Sequence, residues 1–169
     1  MDNLLKGFGN LSWEIGPDEN REMYLAISPS LEPDLHSLTK QFVKLSPNME
    51  NWNFYDCKQK KALTSVRITT EEYGGEIIDA KDLKFRILKD ENYTPLFLDI
   101  YINRDLMNIN RANSIEMLLT NLIGEFNLMY FIEDFDLKDL ENCKDKEKLW
   151  DYNKLISYVE KYAKENSIE

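Results

Sequence analysis

The sequence is poor in the residues on which most site chemistry is built. Among 169 residues there is one histidine, His36, and there are two cysteines, Cys57 and Cys143. A structural zinc site takes about four ligands of His/Cys type and a catalytic one about three. These three residues are scattered, with no CxxC or HExxH spacing, so neither a metal nor a cofactor is expected. Two cysteines in a chain of this size make no disulfide framework, and free thiols point to the cytoplasm. Long apolar runs are also missing. No segment approaches the roughly 18 apolar residues of a membrane helix, and the start, Met1 to Gly7, lacks the apolar stretch of a signal peptide. Glycine numbers 6 and proline 5, so no flexible linker is expected, and Gly7-Phe8-Gly9 is too short for a phosphate loop. Cations are outnumbered: Lys+Arg 21 against Asp+Glu 31, a net charge of −10. That balance argues against nucleic acid, whose phosphates need a basic surface, and against anionic membranes.

What is present describes a globular chain. Hydrophobic residues make up 43% and charged residues 31%, a mixture able to bury a core. The length suits one α+β domain over residues 1–169. Leu11, Trp13 and Ile15 alternate with polar residues, and Met23, Leu25 and Ile27 do so after a turn-rich Gly16–Asn20. This is a hairpin pattern. Pro33 suits the first position of a helix, with Leu35, Leu38, Phe42 and Leu45 as its apolar stripe. Ser46-Pro47 ends it. Strands are expected over Asn51–Lys58, Ser65–Thr70, Leu83–Ile87 and Leu96–Asn103, with Glu71–Gly75 as a loop. Ile115, Leu118, Leu119, Leu122 and Ile123 give the strongest helical periodicity, with Asn113 or Ser114 as its cap and Gly124 as its end. Leu128–Phe135 is apolar on both faces, which suggests a central strand. A last helix spans about Asn153–Glu165. The expected architecture is a two-layer α+β sandwich: a mainly antiparallel sheet of about five to seven strands, with about three helices mostly on one face.

Few constellations carry chemistry. At about 100° per residue, His36 points away from its helix's apolar stripe and reads as solvated. Cys57 reads as a small apolar residue. The acidic run Glu133, Asp134, Asp136, Asp139 and Glu141 has the oxygens for a hard cation. It lacks a central glycine and is flanked by lysines, so a solvated loop is the expectation. Glu14, Asp99 and Glu125 sit near element ends, and a pair of them in an apolar cleft would suit acid/base work.

The outward face of the sheet is the informative oddity. With Leu96, Leu98 and Ile100 turned to the helices, Phe97, Asp99 and Tyr101 face the other way, and Tyr55 is expected beside them. An exposed sheet face normally carries polar residues, whereas tyrosine is favoured at interaction hot spots. Tyr55, Phe97, Asp99 and Tyr101 are therefore the candidate binding residues. The alternative is that loops or chain ends cover this face.

The patterns Trp13-Glu14-Ile15-Gly16-Pro17, Leu25-Ala26-Ile27-Ser28-Pro29 and Pro47-x(4)-Trp52-Asn53-Phe54 follow one another. This layout resembles an uncharacterised bacterial domain family with the pattern W-x-[IF]-G-P … L-x-I-S-P … P-x(4)-W-x-F. The resemblance covers about the first third of the chain and implies no activity and no catalytic residue. The small acidic format is also similar to bacterial immunity proteins, a likeness without a motif. Together these features point to a non-enzymatic module that binds a basic protein, such as an immunity-type inhibitor of a basic toxin. The alternative is a small hydrolase or ligand-binding domain with a carboxylate-lined pocket.

Overall fold

The computed structural model describes residues 1, 5–18, 21–70, 74–90, 92–104 and 111–166. It shows an α+β fold. In chain order the elements are β1 (Ser12–Pro17), β2 (Met23–Ser28), α1 (Pro33–Lys44), β3 (Trp52–Tyr55), β4 (Ser65–Thr70), β5 (Gly74–Asp79), β6 (Lys84–Leu88), β7 (Leu96–Ile102), α2 (Arg111–Ile123), α3 (Glu125–Phe131), β8 (Ile132–Asp139) and α4 (Tyr152–Glu165). Among the described residues no helix is long and apolar enough to cross a membrane.

The strands do not join in one sheet. They form three, ordered β1-β2-β3, β4-β5 and β6-β7-β8. Hairpins account for the antiparallel pairs β1/β2, β4/β5 and β6/β7. Where a helix intervenes the pairing is parallel: β2 with β3 across α1, and β7 with β8 across α2 and α3. A parallel return needs a long crossover, and these helices supply it. Period-two alternation specifies that a strand exists, but not which pairs fuse into a sheet.

Four local expectations change. Leu128–Phe131 is the second half of α3, and the strand begins only at Ile132. An all-apolar run fits a buried helix as well as a central strand. Gly124, at φ 83°, ends α2 and starts α3. Next, α2 begins at Arg111, so Asn113 and Ser114 lie inside it. Third, Gly74 and Gly75, read as loop, open strand β5 and pair with Thr70 and Thr69. The rest of that loop, Glu71 to Tyr73, lies outside the described residues. Last, β8 is an edge strand, because among the described residues only β7 pairs with it.

The main core lies between the inner face of β6-β7-β8 and helices α2, α3 and α4. Phe85, Leu96, Leu98, Ile100 and Ile102 meet Ile115, Leu118, Leu119 and Leu122 of α2, Leu128 and Phe131 of α3, and Leu155 and Val159 of α4. Each such side chain withdrawn from water contributes ~1.5–3 kcal/mol. The buried members of this core run from Val66 to Tyr162. The first sheet, with α1 packed on β2 and β3, joins the rest through Leu31 and the His36–Phe126 ring contact and through a set of polar groups. Ser28 Oγ donates to Glu125 Oε1 at 2.6 Å. Leu31 N donates to the same oxygen at 3.1 Å, and Lys58 N donates to Oε2 at 2.8 Å. Lys61 N and Glu125 N add backbone bonds to Asn121 O at 2.7 Å and Lys58 O at 2.9 Å.

Candidate functional site

Register places three rows of side chains on the outer face of β6-β7-β8: Lys84, Tyr101 and Lys138; Arg86, Asp99 and Asp136; Leu88, Phe97 and Asp134. In the first two rows the central residues, Tyr101 and Asp99, are covered. Tyr101 is 6% exposed, with the Arg86 guanidinium 5.3 Å over its ring and Arg86 Nη2 3.7 Å from Cys143 Sγ. Asp99 is 8% exposed, with Lys138 Nζ 3.6 Å from its Oδ1. Lys138 also donates to Asp136 Oδ2 at 2.9 Å, and that bond holds its ammonium above the ordinary range.

The third row is open. Leu88 is 45% exposed, Phe97 38% and Tyr93 44%. Tyr93 stacks on Phe97 at 6.2 Å between ring centres, and its hydroxyl donates to Glu133 Oε2 at 2.9 Å. Beside this patch lies a small pit of about 130 Å³, walled by Leu88, Phe97 and Phe135 and lined by Asp99, Asp134 and Asp136. Asp134 Oδ1 accepts the Phe135 amide at 2.8 Å. The pit therefore offers apolar walls beside several carboxylates, which suits a long side chain with a cationic end.

The four candidate binding residues separate on this evidence of position. Phe97 lies at the open patch. Asp99 reaches the pit from below but is buried and paired, and Tyr101 is covered by Arg86 and the turn bearing Cys143. For these two the alternative of a covered face holds, because a turn folds back from beyond β8, which the strand pattern does not reveal. Tyr55 belongs to another sheet, where it packs against Tyr24 at 5.9 Å between ring centres, so it does not join the other three. Sequence reasoning passed over Leu88 and Tyr93. The signal for the rim was the alternation of Asp134 and Asp136 around Phe135, which puts both carboxylates on one face. Glu133 also lies at this patch through Tyr93, whereas Asp139 is turned to other partners, Arg104 at 3.1 Å and the Glu141 amide at 2.9 Å.

Two of the three carboxylates weighed for acid/base work share a cavity. Glu14 and Glu125 line one cleft of about 570 Å³ between the first sheet and α2, while Asp99 is elsewhere. Both are engaged by internal donors. Glu125 holds the three bonds given above, and Glu14 accepts from Tyr24 Oη at 2.5 Å and from Lys61 Nζ. Each carboxylate thus ties neighbouring elements together.

A second polar cluster fills the space between α1, the end of β3 and α3. His36 is 2% exposed, which corrects the expectation of a solvated residue. Its Nδ1 is 2.8 Å from Tyr130 Oη, and its Nε2 is 3.2 Å from Asp56 Oδ2. Phe126 packs on the ring at 5.6 Å. The α1 stripe of Leu35, Leu38 and Phe42 is only half-buried, and the face of His36 and Thr39 is the buried one, because α3 packs there. The usable signal was the i, i+3, i+7 spacing of His36, Thr39 and Val43. Cys57 is 1% exposed, as a small apolar residue is expected to be. Burial pushes its thiol up, with Glu125 and Asp56 adding to the shift and Lys40 opposing it, so unaided it is no thiolate nucleophile. Comparison with protein-family models, curated proteins and solved structures finds no match.

Proposed function

We propose that the protein is a non-enzymatic binding module for a basic protein partner, docking at the Leu88–Tyr93–Phe97 patch. The observation that carries this reading is the pit beside Phe97, with apolar walls and the carboxylates of Asp134 and Asp136 at its rim. An Arg or Lys side chain of the partner lays its methylenes on Phe97 and Leu88 and brings its charge to those two aspartates. Tyr93, stacked on Phe97 and tied to Glu133, holds the aromatic surface in place. The net charge of −10 steers a basic partner and makes the encounter dependent on salt. An immunity-type inhibitor of a basic toxin is one form such a module takes.

The test uses Arg-rich, Lys-rich and neutral peptides, titrated calorimetrically at low and high salt. The basic peptides are expected to bind and the neutral ones to fail. Phe97→Ala weakens binding by more than ~1 kcal/mol, and the pair Asp134→Asn with Asp136→Asn flattens the salt dependence. Equal binding of neutral and basic peptides, or an unchanged affinity on replacing Phe97, overturns the proposal.

A second reading, a ligand-binding domain, is favoured by Asn121. This side chain lines the 570 Å³ cleft and is 9% exposed, and among the described residues its amide has no hydrogen-bond partner. A buried amide normally has one, and a polar small molecule in the cleft would supply it. Mass spectrometry of the purified protein under native conditions tests this: a retained small molecule supports the reading, and its absence from the native protein argues for the binding module alone.

A further inference from the structure

We infer that His36, Asp56 and Cys57 form a binding site for a thiophilic divalent cation of the zinc class. A ring nitrogen of His36, a carboxylate oxygen of Asp56 and Cys57 Sγ all lie within 4.8 Å of one another. Bonds of about 2.0–2.3 Å to a shared tetrahedral zinc place ligand atoms roughly 3.5 Å apart. His36 Nε2 and Asp56 Oδ2 already stand at 3.2 Å, so only a modest inward shift of the thiol is needed. The donor set itself selects the metal. Sulfur and imidazole suit zinc-like ions and disfavour magnesium and calcium, which take oxygen.

Three further features fit a metal and are independent of the spacing. Tyr130 Oη lies 2.8 Å from Nδ1, the outer contact that metal-bound imidazoles make to fix their orientation. Cys57 Sγ is buried, and among the described residues it has no hydrogen-bond partner. Asp56 is the wet side of the site, with its side chain 32% exposed against 2% for His36. An ion therefore enters past Asp56, and a water completes the fourth position there. Sequence spacing argued against a His/Cys site because His36, Cys57 and Cys143 are scattered, and it did not bring Asp56 into the set. The β2-α1-β3 crossover removes that objection by laying α1 over the end of β3.

The experiment titrates the metal-stripped protein with Co²⁺ and then Zn²⁺, reading the absorbance of the thiolate-to-cobalt band and the heat of binding. One equivalent is expected to bind with that band present. Cys57→Ser abolishes the band and lowers zinc affinity by more than ~100-fold, beyond the range seen for outer contacts. Asp56→Asn, at a partly exposed position that leaves packing intact, also lowers the affinity. Tyr130→Phe lowers it by ~10-fold with the band retained. Glu147→Gln, at an exposed position outside both sites, leaves zinc affinity unchanged. Circular dichroism checks that each variant is folded. Cobalt binding without a thiolate band, or zinc binding unchanged in both Cys57→Ser and Asp56→Asn, overturns the inference.

Discussion

Replacing Glu125 by alanine measures how strongly the first sheet is tied to the helices. The carboxylate is 1% exposed and receives three donors: Ser28 Oγ at 2.6 Å, Lys58 N at 2.8 Å and Leu31 N at 3.1 Å. Truncation leaves all three unpaired. An orphaned buried donor costs ~1–3 kcal/mol, so the simple sum is about 3–9 kcal/mol. The neighbouring cleft admits water, which re-solvates part of the wound. That re-solvation brings the expectation to the lower part of the sum, about 3–5 kcal/mol. A chain of this size unfolds at about 5–15 kcal/mol, so a large share of the total is at stake. The corresponding fall in Tm is roughly 6–20 °C. Glu125→Gln is isosteric, but it turns one acceptor oxygen into a donor. Either the Lys58 amide or the Ser28 and Leu31 pair then meets an N–H, and the cost is ~1–3 kcal/mol. Urea unfolding followed by tryptophan fluorescence gives both values. An alanine variant within ~1 kcal/mol of the parent, or a glutamine variant less stable than the alanine one, refutes the reasoning.

Three other outcomes follow from positions described above. Gly124→Ala places a side chain at φ 83°, 3.4 Å from the Lys60 amide nitrogen, and a thermal melt is expected to register ~1–3 kcal/mol of strain. Tyr24, Tyr55 and Tyr130 are all raised above the ordinary 10.0, mainly by burial. Above that pH the unfolded chain releases phenolic protons that the folded one keeps. The native state then binds more protons, and stability, full below about pH 10, falls as pH rises further. Urea midpoints that stay level from about pH 9 to pH 11, with tyrosinate absorbance appearing at the free-phenol pH, would contradict this. Iodoacetamide on the native protein modifies the half-buried Cys143, while Cys57 reacts only on unfolding. Peptide mapping checks the order, and early Cys57 labelling would show the cluster to be open.

Much of the fold is legible because single elements carry their own periodicity. Leu96, Leu98, Ile100 and Ile102 alternate cleanly, and all four are buried. Ile115 to Ile123 form the buried stripe of α2. The hairpin of β1 and β2 pairs Trp13 with Ile27 and Ile15 with Leu25, as the alternation implies. What failed depends on distant partners. Leu128–Phe135 is apolar on both faces, so its period does not decide between helix and strand. His36 is buried because α3 lies over it, and nothing in α1 announces that contact. The candidate surface divides in the same way. Strand parity turns Phe97 outward correctly, but it cannot say that Tyr55 belongs to another sheet or that the Cys143 turn covers Tyr101.

The polar joint between the first sheet and the helices sets an order of opening. The buried apolar core runs from Val66 to Tyr162, so β1 to β3 and α1 can detach while that core stays closed. Such a partly open state lies below global unfolding on the free-energy scale. The amides of Leu31 and Lys58, which end on Glu125, then exchange with solvent through this detachment, and those of Ile100 and Leu119 only when the whole chain unfolds. The joint thus gives the protein two unfolding units along one chain, with Glu125 as the latch between them.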